Sequence, residues 1–411
     1  MQNNQALDLE EALQRLKSQL TPVTGTESVP LNQLMGRCLA EAVNAPGNLP
    51  PFPASAMDGY AIRKNDWPHL RTYELVGTSL AGHPYNGPEL TEGQAVRVFT
   101  GAAVPHGADQ ILLQEEVVPG GGSANQVTFT EHTPAERYVR PVGHDVKAGT
   151  RLLPPATQLH ALQVGLLSAN GVTAATCHRR LKVGVFSTGD ELVEPGQPLG
   201  TGQIYDSNRL TLLHLLADDC FERVDLGRLP DDAATVEREL ANAADECDAL
   251  LSSGGVSVGD ADFVTRTIER LGTLNFWKLN LKPGKPLAYG TLNNGQCQIF
   301  GLPGNPVSTV VTFLMIAKPA LLHMAGASVS DPVRVPATLT SDVSHAPGRT
   351  EFQRGWVHPT PQGLAVSHTG DQSSNRLSTF AQANCLIEVP KMAGNLRPGT
   401  SVDVVLFDNL F

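Results

Sequence analysis

Residues 181–191 read LKVGVFSTGDE, an apolar run that ends in a Gly-Asp-Glu turn. Two later apolar runs also end in glycine-rich loops, SSGGVSVGD at 252–260 and GLPGNP at 301–306. Helical patterns lie between and after these runs, at 208–217, 232–244, 261–271 and 307–317. Strands that alternate with helices predict crossover units, which build a parallel sheet covered on both faces. We therefore predict a doubly wound α/β domain over residues 181–326.

The chain begins with a predicted amphipathic helix. Residues 8–20 carry a single helical stripe of leucines, Leu9, Leu13, Leu16 and Leu20. The spacing of Asp8 and Glu11 is typical of an N-terminal cap and its partner. A second helical run at 156–167 is expected to pack back on this helix.

Two further regions are predicted to be β-rich. From 45 to 140, Pro and Gly recur between short β-prone runs such as 95–99 and 110–113, which indicates a small inserted β domain. After residue 326 the chain again alternates short strands with turns, so we expect a C-terminal β barrel or sandwich.

Composition excludes several classes of protein. The chain has 411 residues, 41% of them hydrophobic, and a formal net charge of −11, which argues against a general nucleic-acid binder. Its six cysteines show no zinc or disulfide spacing, so isolated thiols in a reducing compartment are expected.

No signal peptide is evident, and the longest apolar stretch, 307–317, stops at Lys318-Pro319, too short to cross a bilayer. We expect a soluble, cytoplasmic protein that binds neither nucleic acid nor membranes.

The three glycine-rich loops predict an anion site. In open α/β sheets the loops at the carboxyl ends of the strands line one crevice, and glycine lets backbone N–H groups approach a phosphate. Gly254 and Gly259 have Walker A spacing, but Asp260 follows where that motif needs Lys, so a P-loop NTPase is disfavoured. Ser257 lies in a G-x-S-x-G pattern but too far past the strand for a hydrolase nucleophile.

Acids and lysines accompany these loops. Carboxylates stand at the predicted strand-to-helix junctions, Asp190, Glu191, Asp206, Asp231, Asp260 and Asp262. Helix capping is an equal alternative for Asp206 and Asp231. The segment 276–286 carries Lys278, Lys282 and Lys285, and alternation would put Lys278 and Lys282 on one face of a strand. A solvated basic strand face is the alternative, yet acids for Mg²⁺ beside lysines for oxyanions suit phosphoryl chemistry.

These motifs together match a known family. They occur in order along the chain, as SAMDGYA at 55–61, TGA at 100–102, STGDEL at 187–192, SSGGVSVGDAD at 252–262, KPGKP at 282–286 and GLPGNPVS at 301–308. The chain resembles the molybdopterin molybdenumtransferases, the family of MoeA and the gephyrin E domain.

The resemblance implies a homodimer of four-domain chains. Its domains would be a helical and linker domain (1–46 and 141–178), an inserted β domain (47–140), an α/β domain of molybdopterin-binding type (179–327) and a C-terminal β barrel (328–411). The implied reaction is Mg²⁺-dependent insertion of molybdate into adenylylated molybdopterin with release of AMP. The enzyme that adenylylates molybdopterin is then a possible partner.

The resemblance also assigns roles to residues. The implied catalytic residues are Asp58, Thr100, Glu191, Asp231, Asp262, Lys278 and Lys282, of which Glu191, Asp231 and Asp262 would bind the metal. The implied substrate-binding residues are Arg140, Asp145, Ser187, Thr188, Gly254, Gly255, Ser257, Pro283, Gly304, Asn305, Ser308, Arg354 and Ser374. In this family the N-terminal domains reach the crevice of the partner subunit. An Asp-Gly turn is the alternative role for Asp58.

Two other functions stay open. One is the preceding step, adenylylation of molybdopterin, because that family shares a Ser-Gly-Gly loop followed by Asp. The flanking domains disfavour it, since the adenylyltransferase resembles the α/β domain alone. The other is a non-catalytic scaffold, since gephyrin-like E domains also anchor partner peptides.

Overall fold

The computed structural model describes residues 6–23, 25–130, 137–255, 263–407 and 410. The elements of the first part are α1 (Leu9–Gln19), β1 (Thr26–Pro30), β2 (Val43–Asn44), β3 (Ala54–Ser55), β4 (Gly59–Ile62), β5 (Thr72–Ser79), β6 (Gln94–Val98), β7 (Gln110–Leu113), β8 (Gln126–Thr128), β9 (Val139–Arg140), β10 (Arg151–Leu153), α2 (Ala161–Ala169) and β11 (Ala174–His178). The middle part contains β12 (Leu181–Thr188), β13 (Leu192–Val193), β14 (Ile204–Tyr205), α3 (Asn208–Leu215), β15 (Phe221–Leu229), α4 (Ala233–Glu246), β16 (Ala249–Ser253), α5 (Phe263–Leu271), β17 (Gly272–Lys278), β18 (Leu281–Lys282), β19 (Pro286–Leu292) and β20 (Cys297–Leu302). The last part contains α6 (Pro306–Thr312), α7 (Lys318–Met324), β21 (Arg334–Leu339), β22 (Thr350–Thr360), β23 (Gly363–His368), β24 (Cys385–Val389) and β25 (Ser401–Leu406).

The central sheet has the strand order β15-β12-β16-β20-β19-β17. Its first four strands are parallel, and α4 and α5 cover one face while α3 and α6 cover the other. The doubly wound arrangement is thus confirmed for these strands. One edge of the sheet differs from the rest, because β19 and β17 run antiparallel there. Only short segments join β17, β19 and β20, and a parallel crossover needs a dozen residues or more.

The helix after the GLPGNP loop is longer than predicted. It runs from Pro306 to Met324 and passes through Lys318-Pro319 by way of a π-helical segment, Phe313–Ala317. By length and composition alone this helix could cross a membrane, but 83% of its most apolar 18-residue window is buried inside the protein. Buried core helices pass the same test, so this is weak evidence for a membrane span. Lys318 is buried as well, and its ammonium lies 3.1 Å from both the Leu410 carbonyl and the Asp218 carboxylate.

Helix α1 forms as predicted but is not capped as predicted. It buries Leu13 and Leu16 against the long helix 306–324. Asp8 occupies the N-cap position, yet its carboxylate accepts hydrogen bonds from Asn280 (2.7 Å) and Lys391 (2.9 Å) instead of capping the helix. The bond with Lys391 is the main cause of a lowered pKa of Asp8.

Helix α2 starts later than predicted and packs elsewhere. The left-handed backbone of Ala156 (φ +60°) cannot belong to a right-handed helix, so α2 begins at Ala161. Its Leu167 packs in a separate cluster with residues of β1 and β11, such as Val29 and Cys177. The expected packing of this helix on α1 is therefore wrong.

The remaining strands form smaller units. The inserted region holds a five-stranded sheet of order β7-β4-β6-β5-β8, and β1–β11, β2–β10 and β3–β9 form two-stranded pairs near it. At the C-terminus, β22, β23, β21, β25 and β24 close into a barrel, because β24 pairs back onto β22. Strand β18 joins this barrel by pairing Lys282 with Glu351. The domain boundaries given above stay predictions.

Candidate active site

One large cleft of about 1120 Å³ lies between the α/β region and the C-terminal barrel. Its floor is the carboxyl edge of the parallel strands, at the ends of β12, β16 and β20. The structure brings together here many of the residues that the sequence singled out, namely Thr188, Glu191, Asp231, Gly254, Gly255, Lys282, Pro283, Gly304, Asn305, Ser308 and Ser374. The three predicted loops therefore meet at one crevice, as the rule for open α/β sheets requires.

Two exposed carboxylates stand at one side of the cleft. Glu191 follows β12 and Asp231 follows β15. The two loops are linked, because the Asp231 carboxylate accepts a hydrogen bond from the backbone N–H of Asp190 (3.4 Å). The neighbouring Asp232 is a helix cap, since its carboxylate accepts from Thr235 N–H. Capping is thus the role of Asp232, and Asp231 faces the cleft.

An ionic network centred on the buried Arg209 supports the loop that carries Glu191. Arg209 in α3 is 3% exposed and donates to the carboxylates of Asp206, Asp225 and Glu194. Burial alone would lower the pKa of Arg209, but the hydrogen bonds to these acids outweigh it and raise the pKa. Ser187 is fully buried and donates to Asp206 at 2.5 Å. The structure therefore places Ser187 in the support of the cleft and not in its lining.

Glycine is required where β16 turns into the cleft. Gly254 (φ +90°) and Gly255 (φ +68°) both have left-handed backbone conformations. A Cβ on Gly255 would lie 2.6 Å from Val264, so no larger residue fits. The backbone of Gly254 and Gly255 therefore lies close to Thr188, which also lines the cleft. The next predicted site residues, Ser257 and Asp262, lie outside the described residues.

The opposite loop leads into a helix that begins at the cleft. Asn305, Pro306 and Ser308 line the cleft at the start of the helix 306–324. The Asn208 side chain donates to the Gly304 carbonyl (2.8 Å) and holds the loop in place. Pro306 has no N–H, and the N–H groups of Val307 and Thr309 donate to the carbonyls of Ser374 and Asn305. What favours a phosphate or another oxyanion at this end of the cleft is therefore mainly the positive end of the helix dipole.

The two predicted lysines do not share a strand face. Lys278 ends β17 in the central sheet, whereas Lys282 lies in β18, which pairs with the barrel. The strand is interrupted between the two lysines, because Leu279 forms a β-bridge with Leu7 and the Asn280 side chain donates to the Ala6 carbonyl. Lys282 lines the cleft, and its ammonium lies 3.1 Å from both carboxylate oxygens of Glu351. Lys278 is exposed outside the cleft lining.

Arg354 shapes the cleft without lining it. It is fully buried, and burial lowers its pKa to about 10. Its guanidinium donates to Thr379 Oγ1 and to the carbonyl oxygens of Asp371, Gln372 and Ser373. Those carbonyls belong to the loop 370–374, which lines the cleft. In this structure Arg354 therefore holds the loop that carries Ser374.

The predicted residues of the N-terminal half lie away from this cleft. Asp58 and Thr100 form a hydrogen-bonded pair in the inserted region, and none of its residues lines the cleft. Hydrogen bonds from Thr100 lower the pKa of the Asp58 carboxyl. Arg140 and Asp145 are exposed and also lie outside the cleft lining.

The donor chemistry of the cleft fits Mg²⁺. This ion is usually bound by one or two carboxylates together with substrate phosphates. Glu191 and Asp231 supply such carboxylates. Among the residues that the structure describes, no group of three His, Cys, Asp or Glu side chains could hold a metal ion.

Sequence reasoning missed the wall that the barrel contributes. It is formed by Asp342, Ser344, Arg349, Glu351, Gln353, His368 and the loop 370–373. One signal was present, because β22 buries three polar residues within four positions of a barrel strand, Glu351, Gln353 and Arg354. Buried polar groups require partners, so such a run marks an internal network or a site.

Comparison with known proteins gives consistent matches along the chain. Three family models match consecutive parts: the MoeA N-terminal region (domain I and II) over residues 7–171, a probable molybdopterin binding domain over 184–323 and the MoeA C-terminal region (domain IV) over 336–407. Among solved structures, the molybdopterin biosynthesis MoeA protein from Pyrococcus horikoshii is similar with a TM-score of 0.81 and 29% identity, over 98% of this chain and 100% of that one.

Curated relatives agree with these matches. The molybdopterin molybdenumtransferase of Haemophilus influenzae is 40% identical over 406 residues, which cover 98% of this chain and 99% of the relative. That of a Nostoc species is 36% identical over 89% of this chain and 85% of its own length. Gephyrin of Dictyostelium discoideum is 30% identical over 92% of this chain but only 59% of gephyrin.

Proposed function

Because the chain belongs to the molybdopterin molybdenumtransferase family, as its motifs predicted, we propose that it inserts molybdate into adenylylated molybdopterin and releases AMP. The observation that carries this proposal is the cleft itself. Its lining includes the carboxylates of Glu191 and Asp231, which follow two parallel strands. It also includes the ammonium of Lys282 and the start of the helix 306–324. The substrate needs the acids, because they can hold a cation against its pyrophosphate, and molybdate needs positively charged donors such as Lys282, because it is a tetrahedral oxyanion.

The residues of the cleft divide the work. Glu191 and Asp231 would hold Mg²⁺ against the pyrophosphate, and the metal would offset the negative charge that develops as AMP leaves. The backbone at Gly254 and Gly255 lets the substrate approach closely. Lys282 binds the oxyanion with the N–H groups that Glu351 does not occupy. The barrel supplies the far wall of the cleft.

A homodimer extends this proposal. Thr100 is exposed, Asp58 is half-buried, and both lie outside the cleft of their own chain. We propose that they serve the cleft of a partner copy, which would make the dimer the active form. Mixing Asp58→Asn and Glu191→Gln homodimers under subunit exchange should then restore part of the activity, because each mixed dimer has one site without either substitution. Absence of any recovery in verified mixed dimers would contradict shared sites.

The function is tested by molybdate-dependent AMP release from adenylylated molybdopterin. Asp231→Asn should lower the rate by a factor of about 100 or more, since it removes a metal-binding charge. Asp232→Asn is the matched control, because Asn caps a helix as well as Asp does. Equal rates for the two variants would contradict the role of Asp231. If the wild-type protein instead consumed ATP and molybdopterin to give pyrophosphate, it would be the adenylyltransferase.

A further inference from the structure

A buried histidine stands directly behind the lysine of the cleft. The His345 side chain is fully buried, and its Nδ1 lies 2.7 Å from Oε2 of Glu351. Its other ring nitrogen, Nε2, is buried without a hydrogen-bond partner among the described residues. A charged ring would bury a second N–H with no acceptor, so the geometry favours a neutral imidazole with its proton on Nδ1. His345 then donates to Glu351.

Glu351 transmits this contact to the cleft. Its side chain is 3% exposed, and both of its oxygens lie 3.1 Å from the ammonium of Lys282. The pairing of β18 with β22 sets Lys282 directly opposite Glu351. The lysine side chain itself is 43% exposed and lines the cleft. A row of three side chains, His345, Glu351 and Lys282, therefore runs from the barrel interior to the cleft.

We propose that His345 is a positioning residue for oxyanion binding. Its Nδ1–H fixes the rotation of the Glu351 carboxylate, and the carboxylate in turn fixes the direction of the Lys282 ammonium. An ammonium has three N–H donors, so the bonds to Glu351 leave at least one aimed at a ligand in the cleft. This inference rests on the proposed function, because it takes molybdate as the ligand of Lys282.

The alternative is that His345 serves only the stability of the barrel. A well-packed apolar side chain could fill the same volume, and nothing in packing alone requires a donor at Nδ1. The two roles differ in what replaces the ring. Asparagine offers an N–H at nearly the position of Nδ1, whereas leucine has a similar branched shape without the donor.

The test is the binding of molybdate, measured by isothermal titration calorimetry without the pterin substrate, beside the KM for molybdate in the AMP-release assay. His345→Leu should weaken molybdate binding and raise its KM about tenfold or more, since small misplacements of a binding group have effects of this size. His345→Asn should restore most of the loss. His358→Leu, at an exposed position of β22, the strand that holds Glu351, is the control.

The outcomes separate the two proposals. If His345→Leu folds and binds molybdate as the wild type does, the positioning role is wrong while the insertase function stands. If His345→Asn is as weak as His345→Leu although both unfold at the same urea concentration as the wild type, the donor is not what matters, and the role is again wrong. If the wild-type protein neither binds molybdate nor releases AMP, the proposed function fails and this inference fails with it.

Discussion

The carboxylate of Asp58 accepts two hydrogen bonds from Thr100, one from the backbone N–H at 2.7 Å and one from the hydroxyl at 2.8 Å. The two residues lie at the ends of neighbouring strands, since β4 begins at Gly59 and β6 ends at Val98. Thr100 is exposed and Asp58 is only half-buried, so the hydrogen bonds are not needed to satisfy a fully buried charge. They favour the ionised carboxylate and fix its orientation.

Replacing Thr100 should change the titration of Asp58. The backbone N–H is the larger cause of the lowered pKa and the hydroxyl the second, so Thr100→Ala should raise the pKa of Asp58 part of the way to its usual value near about 3.9. Because the pKa of Asp58 is lower in the folded than in the unfolded protein, its carboxylate adds stability at pH values above the unfolded pKa. This stability is lost as the pH falls through the folded pKa. Carbon-13 NMR of the carboxyl group measures the shift. Thr100→Ser is the control that keeps the hydroxyl, and an unchanged pKa in Thr100→Ala would contradict the expectation.

Arg209 is expected to be essential for stability. Arg209→Met would leave the buried carboxylate of Asp206 without its cation, and breaking a buried ion pair in this way costs about 3–5 kcal/mol. Urea unfolding measures the difference in the free energy of unfolding. Arg15→Met is the matched control, because its ion pair with Glu11 is half exposed and such pairs contribute about 1 kcal/mol or less. Similar losses in both variants would show that burial of the network does not matter.

The sequence predicted the crevice because the loops that form it can be recognised from short stretches at the ends of single strands. Strands β12, β16 and β20 each end in a loop rich in glycine, and parallel strands must present their carboxyl ends at one edge. Thr188, Gly254 and Gly304 follow from that rule alone. Their positions do not depend on how any other domain docks.

The rest of the site depends on tertiary contacts that no local pattern encodes. Alternation suggested one strand for Lys278 and Lys282, but the barrel draws Lys282 into its own sheet through the pairing with Glu351. Likewise Asp8 has the spacing of a helix cap, yet Lys391 and Asn280 compete for its carboxylate. Both differences arise where two domains meet, because the energy of a distant contact outweighs the local preference.

Loss of Arg354 should loosen the loop that carries Ser374. Arg354→Met would leave the carbonyls of Asp371, Gln372 and Ser373 without their donor, a loss of about 2–4 kcal/mol. Hydrogen exchange at residues 370–374 should accelerate in the folded protein. Arg376→Met is the control, since Arg376 contacts the same loop through an exposed ion pair with Asp371. Unchanged exchange in Arg354→Met would mean that the loop is held by other contacts.

The thiols should be unreactive until the protein unfolds. All six cysteines are free and buried, and burial raises the pKa of Cys247 to about 11 and that of Cys385 to about 12. Because all six thiols are buried out of reach of the reagent, we expect almost no reaction with Ellman's reagent at pH 8 in the native protein and complete reaction in urea.

Stability should also fall as the pH rises. A thiol whose pKa is raised by folding adds stability that is fully present below its unfolded pKa of about 8.5. This stability is lost as the pH rises through the folded pKa. The free energy of unfolding should thus decrease between pH 8 and pH 11, and Cys247→Ser should show a shallower decrease because it removes one such thiol. A slope equal to that of the wild type would contradict the assignment of this pH dependence to Cys247.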